Sequence, residues 1–190
     1  MGGTMDRRQF VISLAALSTP FVTHPLAAQG ISRATAFGYT FKGIDGGDIK
    51  LADHAGQPVL VVNTASLCGY TPQYAGLEAI WNRYRPRGLL VVGVPSNDFG
   101  GQEPGNASEI HATAHKHGVT FPLTEKVSVK GEGAHPFYRW AALQRPTELP
   151  RWNFHKYLVG RDGTLAASFG SAVDPTDTRL IVAIEKELAA

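Results

Sequence analysis

Apolar residues along this chain follow two rhythms. The runs "VLVV" at 59–62 and "LLVVGV" at 89–94 are continuous and rich in β-branched residues. Such runs predict strands buried on both faces. Between them Tyr74, Leu77, Ile80, Trp81 and Tyr84 recur at helical spacing, and "RPRG" at 85–88 stops the pattern. Thr71 and Pro72 predict its start, Thr as cap and Pro at the first position. Strand, helix and strand at this spacing make a parallel βαβ unit. Upstream, 39–44 and 49–51 flank "DGGD", which predicts a β-hairpin with a Gly-rich turn. Downstream, Asn106 with Glu109 three residues on forms a capping-box pattern. It opens a short helix running to about His117 and closed by Gly118. A second hairpin is predicted for 155–160 and 164–170 around Arg161, Asp162 and Gly163. Asp174 and Pro175 then introduce a last helix, with Leu180, Ile181, Ile184 and Leu188 on one face. The expected fold is an α/β domain: an N-terminal β-hairpin, then a mixed central sheet flanked by helices.

The first thirty residues break this pattern. "MDRRQFVISLAALSTPFVTHPLAAQG" (5–30) has a basic start, a short apolar stretch at 10–17 and a small-residue end. These are the parts of a secretory signal. The stretch is too short to span a bilayer. Arg7 and Arg8 before Gln9 and Phe10 resemble a twin-arginine signal, which implies a periplasmic or secreted protein. The division expected is therefore an extension and signal over 1–30 and one domain over 31–190, of the size an ordinary domain needs.

Composition adds little beyond exclusions. The chain has 190 residues, 43% hydrophobic and 18% charged, with a formal net charge of +2. That charge is too small to suggest a nucleic-acid partner. His111 and His115 are four apart on a predicted helix, without the Glu of a metalloprotease motif between them, and read as a solvated face.

Cys68 is the only cysteine, so an intramolecular disulfide and a multi-cysteine zinc site are both excluded. It lies just past the carboxyl end of a predicted central strand, where open α/β sheets place reactive groups. The nucleophile is the thiolate, so something must stabilise an anion. With the helix cap placed at Thr71, the helix dipole is a weak source, and no cationic side chain is close in sequence. Neutral donors remain: the Gln102 amide in "GGQEPG", and the Trp152 indole and Asn153 amide in "RWNF".

Together these stretches resemble the glutathione peroxidase family. The matching blocks are "VNTASLCGYTPQYAGLE", "VPSNDFGGQEPGNASEI", "VTFPLTEKVSVKGEGAHPFY" and "WNFHKYLV", in the family's order. The resemblance runs from Tyr39 to Leu188 and implies a thioredoxin-like fold, which the element order also matches. It further implies a peroxidatic tetrad of Cys68, Gln102, Trp152 and Asn153. The expected activity is thiol-dependent reduction of hydrogen peroxide and organic or lipid hydroperoxides through a Cys68 sulfenic acid. No cofactor is expected beyond an external thiol, glutathione or a thioredoxin-like protein, acting as co-substrate. The alternative is a peroxide-sensing relay that oxidises a partner protein instead of turning over.

Three departures from the family pattern bear on these expectations. Many cysteine-type members carry a resolving cysteine in the helix after the QEPG block; here it reads "SEIHATAHKHG". Resolution therefore needs a thiol from outside the chain. Only "AALQRPTELPR" (141–151) stands where tetrameric members carry a long insertion, which implies a monomer with an open site; with the 10–17 stretch too short to span a bilayer, no stable membrane insertion is expected. His155 stands where relatives usually have an acidic residue.

Overall fold

Strand β3 (Val59–Thr64) lies inside a four-stranded sheet of order β4-β3-β5-β6. Its neighbour β4 (Leu90–Pro95) is parallel; β5 (Lys156–Val159) pairs with it antiparallel, and β6 (Leu165–Phe169) pairs antiparallel with β5. Every residue of β3 and β4 is buried, as the unbroken apolar runs require. This is a computed structural model, which describes residues 1–2 and 34–189. The signal-like stretch and the boundary at residue 30 lie outside the described residues.

The pleat sorts the strand residues onto two cores. Val59, Val61, Leu90, Val92, Tyr157 and Val159 face one cluster with Phe41, Phe137 and Trp140. Leu60, Val62, Val91 and Leu158 face the other, with Leu77, Ile80, Leu180 and Ile184. The first face is covered by the hairpin β1 (Thr40–Lys42) and β2 (Asp48–Lys50) and by α3 (Pro136–Gln144). The second is covered by α1 (Gln73–Tyr84) and α4 (Thr178–Ala189). Cys68 belongs to this second core.

Helix α2 (Ala107–Lys116) starts as its sequence indicates: the Asn106 side chain accepts from the Glu109 amide, and Glu109 accepts from Asn106. Other boundaries moved. Pro72, not Thr71, precedes α1, and Thr71 makes no cap hydrogen bond to that helix. Helix α4 begins at Thr178, and the turn before it is closed by Asp177, which accepts from the Arg179 amide. Asp174 instead accepts from the amide and hydroxyl of Thr176. Helix α3 has no counterpart in the elements expected from the sequence. It opens on His135, whose ring nitrogen accepts from the Phe137 amide, with Pro136 in the first turn. Gly93 lets a neighbouring segment reach the sheet: Gly93 N donates to Pro122 O at 2.9 Å, and a Cβ there would sit 2.5 Å from Leu123.

Candidate active site

The site residues come from the carboxyl ends of β3 and β4 and from the amino end of β5. Cys68 is nearly enclosed, with 6% of its surface exposed. Its Sγ accepts from the Tyr70 backbone amide at 3.4 Å. Its own amide donates to Thr71 Oγ1 at 3.1 Å, and that hydroxyl donates to Ala65 O at 2.8 Å. Tight turns then lead into α1: Thr71 N to Cys68 O, Gln73 N to Tyr70 O, Tyr74 N to Thr71 O. A side chain accepting from the second amide on, and a residue three further returning a bond to the first amide, is the pattern of a helix cap. The Cys68–Thr71 turn therefore repeats a cap-like pattern one turn ahead of α1, whose preceding residue is Pro72. The Cys68 sulfur accepts from the Tyr70 amide, and that N–H dipole favours negative charge on it.

Gln102 is brought beside this turn by its backbone: Leu67 N donates to Gln102 O at 3.0 Å. Two consecutive glycines in left-handed conformation, Gly100 (φ 66°) and Gly101 (φ 62°), turn the chain into it. Only glycine adopts such a pair without strain. A Cβ at Gly100 would also meet the Trp152 ring at 3.2 Å and Gln102 Cγ at 3.4 Å.

Asn153 is fully buried and donates its amide to Gln102 Oε1 at 2.9 Å and to Phe99 O at 3.4 Å. Its NH2 is thus committed to the Gln102 loop. With the Gln102 oxygen held by Asn153, the Gln102 NH2 faces away from it and has no protein partner among the described residues. The Trp152 indole is 39% exposed and packs against Phe99 with ring centroids 6.1 Å apart. Its N–H is likewise uncommitted among the described residues.

Sequence reasoning missed the residues that hold this turn. Asn63, the polar last-but-one residue of β3, is fully buried. Its Nδ2 donates to Trp152 O at 3.1 Å, its carbonyl accepts from Phe154 N at 2.6 Å, and its Oδ1 accepts from His155 N at 3.0 Å. Phe154 between them has a φ of 63°, the one left-handed non-glycine residue among those described. Such a conformation costs of order 1–3 kcal/mol and persists only where surrounding contacts impose it. Lys156 supplies another: its buried ammonium donates to Phe154 O and to Gln73 Oε1, both at 2.7 Å. Burial pulls the Lys156 ammonium down to about 8, partly offset by Asp174. The signals available in sequence were an Asn ending an apolar strand and a Lys inside one.

His155 now has a physical account. Its ring is 5% exposed, packs edge-on against Tyr157 and shares a 2.9 Å hydrogen bond between Nε2 and the Ser168 hydroxyl. Burial, then the Lys156 charge, push it down to about 4, so it is a neutral partner of Ser168. Of the histidines set aside as a solvated face, His111 meets Asp45 at 2.8 Å.

Residues 36–142 match the family model described as Glutathione peroxidase. The chain belongs to the glutathione peroxidase family. It is 42% identical over 153 residues to the hydroperoxy fatty acid reductase gpx1 of Synechocystis sp., covering 75% of this chain and 90% of that protein. It is 43% identical over 135 residues to the glutathione peroxidase-like peroxiredoxin gpx1 of Schizosaccharomyces pombe, covering 69% and 85%. The crystal structure of Trgpx in its apo form superposes with a TM-score of 0.67 at 31% identity, over 82% of this chain and 97% of that one. The fold is thioredoxin-like, and this glutathione peroxidase family member is a peroxidase, an oxidoreductase acting on hydroperoxides with thiols.

Proposed function

We propose that Cys68 is the peroxidatic nucleophile and that Gln102 and Trp152 donate to the reacting oxygens and sulfur, with Asn153 orienting Gln102. The observation that carries this reading is the uncommitted Gln102 NH2, held by the Asn153–Gln102 bond on a loop tied to the residue before Cys68. The Cys68 thiolate, favoured by the Tyr70 amide, attacks the outer peroxide oxygen. The O–O bond breaks, and the leaving oxygen takes a proton to become water or an alcohol. Cys68 is left as a sulfenic acid. An external thiol condenses with it, releasing water and forming a mixed disulfide. A second thiol frees Cys68 and carries the disulfide away. Glutathione and a dithiol protein are both chemically competent for these steps. The name of the Synechocystis relative supports fatty acid hydroperoxides among the substrates. The Arg7–Arg8 signal supports export, and the short 141–151 segment supports a monomer.

Rapid mixing of the reduced protein with hydrogen peroxide, read by Trp fluorescence and intact mass, tests the reading. One oxygen should be gained at Cys68 far faster than on a free thiol, and Cys68→Ser should gain none. Gln102→Ala should slow the step on the order of 10²-fold, the usual cost of one preorganised donor. An unchanged rate in Gln102→Ala would refute the donor assignment. Oxidation that no added thiol reverses catalytically would instead favour a relay to a protein partner.

A further inference from the structure

Among the described residues, five buried polar atoms without a hydrogen-bond partner belong to four residues around the Cys68 turn. They are Thr64 Oγ1, Ser66 Oγ, Tyr74 Oη and both carboxyl oxygens of Glu103. Thr64 ends β3, Ser66 lies two residues before Cys68, Tyr74 sits in the first turn of α1, and Glu103 follows Gln102. They face one another: the Ser66 hydroxyl and amide are turned to the Glu103 carboxyl, and Tyr74 is turned to Thr64 within reach of the Glu103 charge. Glu103 and Thr64 have no exposed surface.

The nearest cation does not neutralise Glu103. Lys126 Nζ donates to the backbone carbonyls of Glu103, Pro104 and Gly105, at 3.1, 3.4 and 2.8 Å. Tyr74 is the other titratable group facing the carboxyl. Burial of a carboxyl without a counter-ion on its oxygens disfavours the charged form. A neutral acid both donates and accepts. Unpartnered polar atoms grouped in one interior site are what buried waters bridge.

We propose that Glu103, as a neutral acid, joins Ser66, Thr64 and Tyr74 around buried water beneath the Cys68 turn and acts as a positioning residue for the thiol. It touches neither peroxide nor sulfur. It braces the two segments that must register: the Ser66–Cys68 turn, and the loop whose Gln102 carbonyl takes the Leu67 amide. Burial lifts the Glu103 carboxyl above the ordinary carboxylate range, with Ser66 and Lys126 opposing. Raising the pH through its ionisation places a charge inside the brace. The turn then loses registry.

The inference rests on the peroxidatic reading of Cys68, and the test separates the two. Infrared difference spectra of the wild type against Glu103→Gln at neutral pH should show one protonated carboxyl band that the variant lacks. Glu103→Gln keeps a neutral donor and acceptor, and should be oxidised by hydrogen peroxide within about twofold of wild type at neutral pH. It should also lose the high-pH decline in rate. Glu103→Ala should slow oxidation about tenfold or more, as small misplacements of reacting groups do. Absence of the acid band, or Glu103→Ala reacting at the wild-type rate, would overturn the inference while leaving the peroxidatic reading intact. A wild type no faster than a free thiol would overturn the peroxidatic reading and the positioning role with it.

Discussion

Protonation of His155 should unfold the active-site turn from behind. The ring is enclosed and neutral, its Nε2 shared with Ser168. Its proton affinity falls from 6.5 to about 4 on folding, mainly through burial. In the unfolded chain the imidazole charges near its ordinary value. Between those two limits the unfolded state therefore binds more protons, and stability rises with pH. The contribution is complete above about pH 6.5 and disappears as pH falls through about 4. At about 1.4 kcal/mol per pH unit, the full swing is about 3 kcal/mol. Urea unfolding across pH 3.5–7.5 should show this slope, and His155→Asn, which cannot titrate, should lack it. The difference between the two proteins is the informative quantity, because other carboxylates cancel in it. Asn63 bonds both the amide and the carbonyl of His155 and also holds Trp152 O. Acid should thus slow peroxide oxidation before global unfolding, and less in His155→Asn. Parallel stability curves for the two proteins would refute the argument.

Lys156→Met should cost about 1–3 kcal/mol at neutral pH, since Phe154 O and Gln73 Oε1 lose their donor while the cost of a buried charge is relieved. The Lys156 ammonium is depressed on folding to about 8, so the wild type should gain stability relative to this variant as pH rises from 8 to 10.5. Urea titrations at pH 7.5 and 10 check both. Gly93→Ala should destabilise by about 1–3 kcal/mol, because its Cβ would sit 2.5 Å from Leu123 and 3.1 Å from Phe121. Thermal unfolding reads this directly, and a melting temperature equal to wild type would contradict it.

What the sequence made legible were features with a local cause. Strands β3 and β4 begin as unbroken apolar runs, and α2 opens on a capping box only four residues long. The family blocks pointed to Cys68, Gln102, Trp152 and Asn153, and the structure brings Gln102 and Asn153 into contact. Helix α3 was not legible because Phe137, Tyr138, Trp140 and Ala141 are all buried, which leaves little polar alternation to mark a helical face. The roles of Asn63 and Lys156 depend on partners 89 and 83 residues distant, and no spacing rule reaches so far. The role of Thr71 was misjudged for a related reason. Its hydroxyl turns back to Cys68 and Ala65 instead of forward into α1, and that choice is made by the turn geometry.

The long reach of the Asn63 bonds has a consequence for how the enzyme is made. A ribosome delivers Cys68 and Asn63 well before Trp152, Asn153 and His155, and contacts across 89 and 92 residues close late. Until then the emerging chain has neither Trp152 nor the Asn153 amide that holds Gln102. On the site reading proposed above, peroxide reactivity is acquired in one late step, when β5 docks beside β3, and a chain truncated before Trp152 should have none of it.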